Sequence, residues 1–332
     1  MIIPAIMFAA AVAAPQAKPV DLQRVFVKGE KTVYQVKSNL IIEDRPAGLA
    51  TFLPQELDLN YQSSSTVKDL KADGIAIIDY RRPTITQIDG ENANRPAKTT
   101  VEKVNYIMDL TVSPINEVLD VKDLTPKKAD KKDGSRQMFL LMPSGAKFQL
   151  QSLIGQFVNE LYRLALNVGS LDSSMEFSPK LPFGAVKEGA TWKKTVGYSP
   201  QKLKGKDGKS AVQRLDYTYT YKGIVTVNNK KFYRINAALD LKTDLADYFN
   251  QLFDMKPEQT HLKSIPMNLT QSIDYDLDMS SRRTMRASST AEGGFKVWIT
   301  DMPDDAYQEQ KLHGTTEMYL VSSGTATKSK KK

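Results

Sequence analysis

The sequence contains no cysteine. That excludes a disulfide framework, a thiol nucleophile, a thiolate metal site and a lipid attached through a cysteine after a leader. Histidine is nearly absent as well: His261 and His313 are the only two in 332 residues. No Gly-x-Ser-x-Gly elbow and no His-Glu-x-x-His zinc signature accompanies them. Gly184 to Thr191 has the glycine spacing of a phosphate loop, but Ala190 stands where that loop requires lysine. These gaps lead us to expect a protein that is not an enzyme and carries no metal or other cofactor, with an unrecognised hydrolase as the weakest reading. Long apolar runs are missing too. No segment after the N-terminus approaches the ~20 apolar residues a transmembrane helix needs.

One shorter apolar run stands at the N-terminus. Ile2 to Ala14 is uncharged and ends Ala11-Val12-Ala13-Ala14 before Pro15. Its length and small-residue end are those of a secretory signal peptide over residues 1–14, although no Lys or Arg precedes it. A buried N-terminal strand or helix is the alternative. With the signal reading, the protein is exported, periplasmic or extracellular, and released.

Charge is plentiful, with 46 Lys+Arg against 38 Asp+Glu and a formal net charge of +8. Much of it is local. Lys127, Lys128, Lys131 and Lys132 share one polar loop; Lys202, Lys204, Lys206 and Lys209 share another; Lys328, Lys330, Lys331 and Lys332 end the chain. Such runs serve as solvated, solubility-promoting loops, or attract an anionic surface or an envelope partner. Nucleic acid is not expected. It would call for basic residues interleaved with exposed aromatics, whereas here the aromatics lie in strands and the lysines in loops.

Alternation dominates what remains. Tyr34, Val36, Ser38, Leu40 and Ile42 share one parity, and so do Val104, Tyr106, Met108, Leu110 and Val112. Each set predicts a strand with one buried face. Ala72-Asp73-Gly74 marks a hairpin, and Pro83 marks an edge or a bulge in the returning strand. Later in the chain Leu215, Tyr217, Tyr219 and Tyr221 alternate, then Tyr233, Ile235, Ala237, Leu239 and Leu241, joined through Asn228-Asn229. Gly293-Gly294 interrupts the pattern, and a last strand is expected over 308–321. Asp274, Asp276 and Asp278 line one strand face. Their parallel side chains do not converge on a metal, so a solvated face paired with Arg283 or Arg286 is expected.

Two stretches follow helical spacing instead. Leu150, Leu153, Ile154, Phe157, Leu161, Leu164, Ala165 and Val168 fall on one face of a helix over 144–169, with Ser144 and Gly169 at its ends. A short helix is expected over 243–253, with Thr243 as its cap. The chain divides accordingly into an N-terminal β half (21–143), the central helix (144–169), a C-terminal β half (180–322) and a disordered basic tail (323–332). The halves repeat the same order of entry strand, long hairpin, insert and second hairpin. The expected fold is mainly β (α+β): two similar antiparallel long-hairpin halves forming curved sheets or incomplete barrels around the central amphipathic helix.

Leu181-Pro182-Phe183 followed by Val186-Lys187-Glu188-Gly189-Ala190-Thr191-Trp192 resembles a motif in secreted or lipid-anchored bacterial proteins of unknown function. Their second half opens with a Pro and then Val-Lys-x-Gly-(Asp/Ala)-(Ser/Thr)-Trp. In architecture the chain is also similar to half-barrel lipoprotein carriers of the bacterial envelope, which hold acyl chains between a curved sheet and helices. The broad apolar face of the helix over 144–169, set against two half-wet sheets, leads us to expect a non-enzymatic envelope protein that binds a lipid or other apolar or amphipathic ligand between sheet and helix. Leu153, Phe157, Leu161 and Leu164 would line that site, with Tyr217, Tyr219 and Tyr221 opposite. The alternative is a structural or protein-interaction module of the envelope in which the same residues are plain core.

Overall fold

The computed structural model describes residues 18–89, 98–102, 106–124, 178–198, 213–253, 256–300 and 303–325. The signal-like segment, the helix expected over 144–169 and the lysine-rich runs therefore lie outside the described residues. Within them the chain is overwhelmingly β. A two-residue strand β1 (Val20–Asp21) precedes a meander of β2 (Glu30–Arg45), β3 (Leu53–Leu70), β4 (Ala76–Asp89), β6 (Tyr106–Val112) and β7 (Val118–Asp123). The short β5 (Lys98–Glu102) pairs with β4. After a second short strand, β8 (Ala185–Val186), a further meander runs through β9 (Thr191–Tyr198), β10 (Gln213–Val227) and β11 (Lys230–Asp244). It continues through β13 (Pro266–Asp278), β14 (Thr284–Ile299) and β15 (Gln308–Thr325). Helices α1 (Ala246–Phe253) and α2 (Pro257–Thr260), with β12 (Leu262–Ser264), fill the connection between β11 and β13.

The two meanders are one sheet, because the last strand pairs with the first long one. Strand order is β7-β6-β4-β3-β2-β15-β14-β13-β11-β10-β9, with every pairing antiparallel. The β15–β2 seam runs from Glu309↔Arg45 to Thr325↔Glu30 with a register shift between Leu320 and Ser322, so β15 extends past Val321, where its alternation ends. Strand alternation places one face inward. Tyr34, Val36, Leu40 and Ile42 of β2 are buried, as are Leu215, Tyr217, Tyr219 and Tyr221 of β10 and Leu269, Ile273, Tyr275 and Leu277 of β13. Polar residues on this face find one another. The Tyr217 hydroxyl donates to Gln271 Oε1 at 2.6 Å, Gln271 Nε2 donates to Ser289 Oγ at 3.1 Å, and Ser38 pairs with Thr316 at 2.9 Å.

Among the described residues the sheet does not close into a barrel, and its edges are β7 and β9. At one end, however, they are drawn together. Lys194 of β9 forms an ion pair with Glu117, just before β7, at 2.5 Å. The segment ahead of β8 lies between them: Leu181 N–H donates to Ile115 O at 2.9 Å, Lys180 Nζ to Asn116 O at 2.7 Å, and Trp192 Nε1 to Lys180 O at 2.7 Å. β8 pairs with β1, and fully buried Leu22 and Leu181 belong to the main core.

Turn chemistry follows the local sequence. Asn228 and Asn229 both adopt positive φ (50° and 61°), the conformation a two-residue hairpin loop requires. Gly74 closes the β3–β4 hairpin at φ 72°. Pro83 sits at a bulge, as expected: between the pairs Gln62↔Thr84 and Ser64↔Arg81, two residues of β4 oppose Ser63 alone. Two local readings need correcting. Asp244, not Thr243, caps α1: the Asp244 carboxylate accepts from both Ala246 N and Ile265 N at 2.9 Å. Gly293-Gly294 does not break β14, which runs straight through. A Cβ on Gly294 would stand 2.2 Å from Gln310 O, so β15 approaches too closely for any side chain.

Candidate functional site

At the end where the sheet edges converge, a cavity of about 100 Å³ opens between the inner face of the first meander and the segments that cross it. One wall is apolar. Val67 of β3, Ile78 and Tyr80 of β4, Leu110 and Val112 of β6 and the ring of Tyr34 continue the buried sheet face to its end. The wall beside it is charged, formed by Arg24, Glu30 and Arg283, and Thr32, Ser63, Ser64 and Ser65 add hydroxyls to the lining.

Three separate parts of the chain bring those charges together. Glu30 opens β2 on the same inward parity as Tyr34, so strand geometry alone turns it toward the core. Arg24 comes from the crossing segment after β1, whose backbone is tied to two turns: Arg24 N–H donates to Pro114 O at 2.7 Å and Val25 N–H to Ser281 O at 3.0 Å. Arg283 ends the β13–β14 turn. Both guanidiniums converge on one carboxylate oxygen, Arg24 Nη2 at 2.6 Å and Arg283 Nη1 at 3.0 Å from Glu30 Oε1. Two guanidiniums against one carboxylate leave one net positive charge in the cluster. Burial pushes the Arg24 pKa down, against the attraction of Glu30. Burial also pushes the Tyr34 phenol up to about 12, and its hydroxyl donates to Thr284 O at 2.9 Å.

Hydrogen bonding in the cavity is incomplete. Glu30 Oε2, Arg283 Nε and Ser63 Oγ are all buried without a partner among the described residues. Ser63 is 1% exposed and faces the β4 bulge described above. Buried polar atoms normally find partners, so three orphans on residues that line one cavity call for an explanation.

The residues expected to line a ligand site fare differently. Leu153, Phe157, Leu161 and Leu164 lie outside the described residues. Tyr217, Tyr219 and Tyr221 form a buried row on β10, with Trp192 stacked on Tyr219 at 5.8 Å and Tyr221 edge-on to Tyr233 at 6.1 Å. That row belongs to the other meander and does not line the cavity. Nor does either histidine: His313 is exposed on β15, 3.3 Å from Glu292. The acidic row on β13 is less solvated than its alternation implied. Asp276 is 2% exposed and held by Arg234 at 2.7 Å and Arg286 at 2.8 Å, Arg286 being a partner expected from the sequence, whereas Arg283 has gone to Glu30. No group of three or more metal-ligating side chains occurs among the described residues.

Sequence reasoning overlooked the charged wall. Glu30 carried a readable signal, since it is a carboxylate on the inward parity of a strand whose other inward residues are Thr32, Tyr34, Val36, Ser38, Leu40 and Ile42. Arg24 and Arg283 carried none, because 259 positions separate them and only the crossing segment brings them together.

No family model matches the chain, and no curated protein matches it. A solved structure of lipovitellin, described as showing lipid–protein interactions in that protein, is similar at a TM-score of 0.41 and 9% identity, over 92% of this chain and 26% of the other. The chain thus spans about a quarter of that protein's length, and a likeness of this degree bears on neither ligand nor partner.

Proposed function

We propose that the protein is an exported, non-enzymatic component of the bacterial envelope that binds an apolar or amphipathic ligand against the inner face of its sheet. One observation carries the reading. The apolar inner face runs on into a cavity whose lining joins apolar side chains to the charged Arg24, Glu30 and Arg283, the combination an amphipathic molecule has. Export rests on the signal-like residues 1–14, and the absence of enzymatic activity on the sequence reading. Organic extraction of the purified mature protein, followed by mass spectrometry, tests it. A co-purifying amphiphile in stoichiometric amount is expected. Protein that is ligand-free as isolated and takes up no alkyl probe would overturn it.

A second reading, a protein-interaction module, draws on the β7 edge. Leu119 and Val121 are 52% and 42% exposed on a strand paired only with β6 among the described residues. An open apolar edge is a template for strand addition by a partner. Substituting Val121 with Lys should abolish such an association, while leaving ligand content unchanged.

A further inference from the structure

We infer that the cavity seats an anionic headgroup that also bears a hydrogen-bond donor, the polar end of an amphiphile whose tail lies on the inner sheet face. This inference rests on the proposed function and names the chemistry of its ligand. The three orphan atoms specify that chemistry. Arg283 Nε–H and the Ser63 hydroxyl can donate, and with the cluster's net positive charge they select an anionic oxygen, a phosphate or a carboxylate. Glu30 Oε2 can only accept, and so selects a hydroxyl or ammonium beside that oxygen.

Electrostatics favours the same occupant. A buried cation without full compensation is costly, and Glu30 Oε1 is already shared between two guanidiniums. An anionic oxygen beside Arg283 supplies the missing charge. Size sets a limit as well. A cavity of about 100 Å³ has room for the atoms of a headgroup. Tyr80, Leu110 and Val112, which line the cavity and belong to the buried face, are where the tail meets the protein in this inference. A free small anion shares the first part of this chemistry without the tail.

Calorimetric titration of the full chain with decyl phosphate, 1-decanol and inorganic phosphate separates these cases. Decyl phosphate is expected to bind at least tenfold more tightly than either of the others. Arg283→Gln should lower that affinity about tenfold and leave 1-decanol binding unchanged. Ser63→Ala should lower it several-fold while melting no lower than the wild type, since it removes only an unpartnered hydroxyl. This second variant keeps the test decisive if Arg283→Gln does not fold. Equal affinity for decyl phosphate and 1-decanol, or unchanged decyl phosphate affinity in Ser63→Ala and Arg283→Gln, overturns the headgroup assignment and leaves the apolar-face reading standing. Equal affinity for inorganic phosphate and decyl phosphate overturns the apolar-face reading instead.

Discussion

Asp278 terminates β13 and organises the turn that delivers Arg283 to the cavity. Its Oδ2 accepts from Ser280 N, Ser280 Oγ, Ser281 N and Ser281 Oγ at 2.6–3.2 Å. Burial pushes its pKa upward, but these four donors outweigh it and hold the carboxyl at about 2. An unfolded aspartate titrates near ~3.9, so the folded state holds this group's proton less tightly. Its contribution is therefore fully present above pH ~4 and is lost as pH falls toward about 2. Asp278→Asn should cost about 1 kcal/mol at neutral pH, charge-assisted hydrogen bonds being discounted here for partial exposure. Thermal melts from pH 7 down to pH 2 check this. The gap between wild type and variant should narrow through the acid range, and a gap constant with pH would show that the carboxylate charge is not what holds the turn.

Among the elements, β14 shows how backbone spacing decides a residue that alternation could not explain. Gly294 faces Lys311 in register, and a Cβ there would meet Gln310 O at 2.2 Å. Because β15 backbone is the obstacle, no rotamer relieves the clash. Gly294→Ala should destabilise by about 1–3 kcal/mol, the usual cost of overpacking, measured by urea denaturation. An unchanged midpoint would mean that β15 can move away. The same contrast separates what could be read from the sequence from what could not. Alternation over Tyr34 to Ile42 and Leu215 to Tyr221 predicts strands and their buried parity, because a side chain's face depends only on its own strand. Asn228-Asn229 and Pro83 predict a turn and a bulge, because backbone sterics are local. Partnership between strands is different. Nothing around Val36 names Met318 as its neighbour, and nothing at Arg24 names Arg283. Such pairings depend on how whole faces bury one another, and the charged wall of the cavity is made entirely of them.

At the scale of the molecule, one seam holds the sheet together. Each meander is built from neighbours in sequence, whereas β2 meets β15 across nearly the whole chain, with Val36 opposite Met318 and both fully buried. Closing so long a loop costs more entropy than closing a hairpin, and that cost falls before the seam's contacts compensate for it. The seam should therefore form late, after the hairpins that flank it. Substitutions on its two sides then partition differently in kinetics. Met318→Ala removes a fully buried side chain and should cost about 2–5 kcal/mol. A contact absent from the transition state shows that loss in the unfolding rate, with folding almost unchanged. Leu110→Ala, inside the local β4–β6–β7 meander, should instead slow folding. Stopped-flow measurement of both limbs for the two variants distinguishes these outcomes. If Met318→Ala slows folding as much as it destabilises, the seam is part of the nucleus, and the two meanders cannot form before they meet. If it acts on unfolding alone, the charged cavity is also completed late. Glu30 opens the seam strand β2, and its partner Arg283 is delivered by the other meander, so the cavity end would take shape only when the two meanders join.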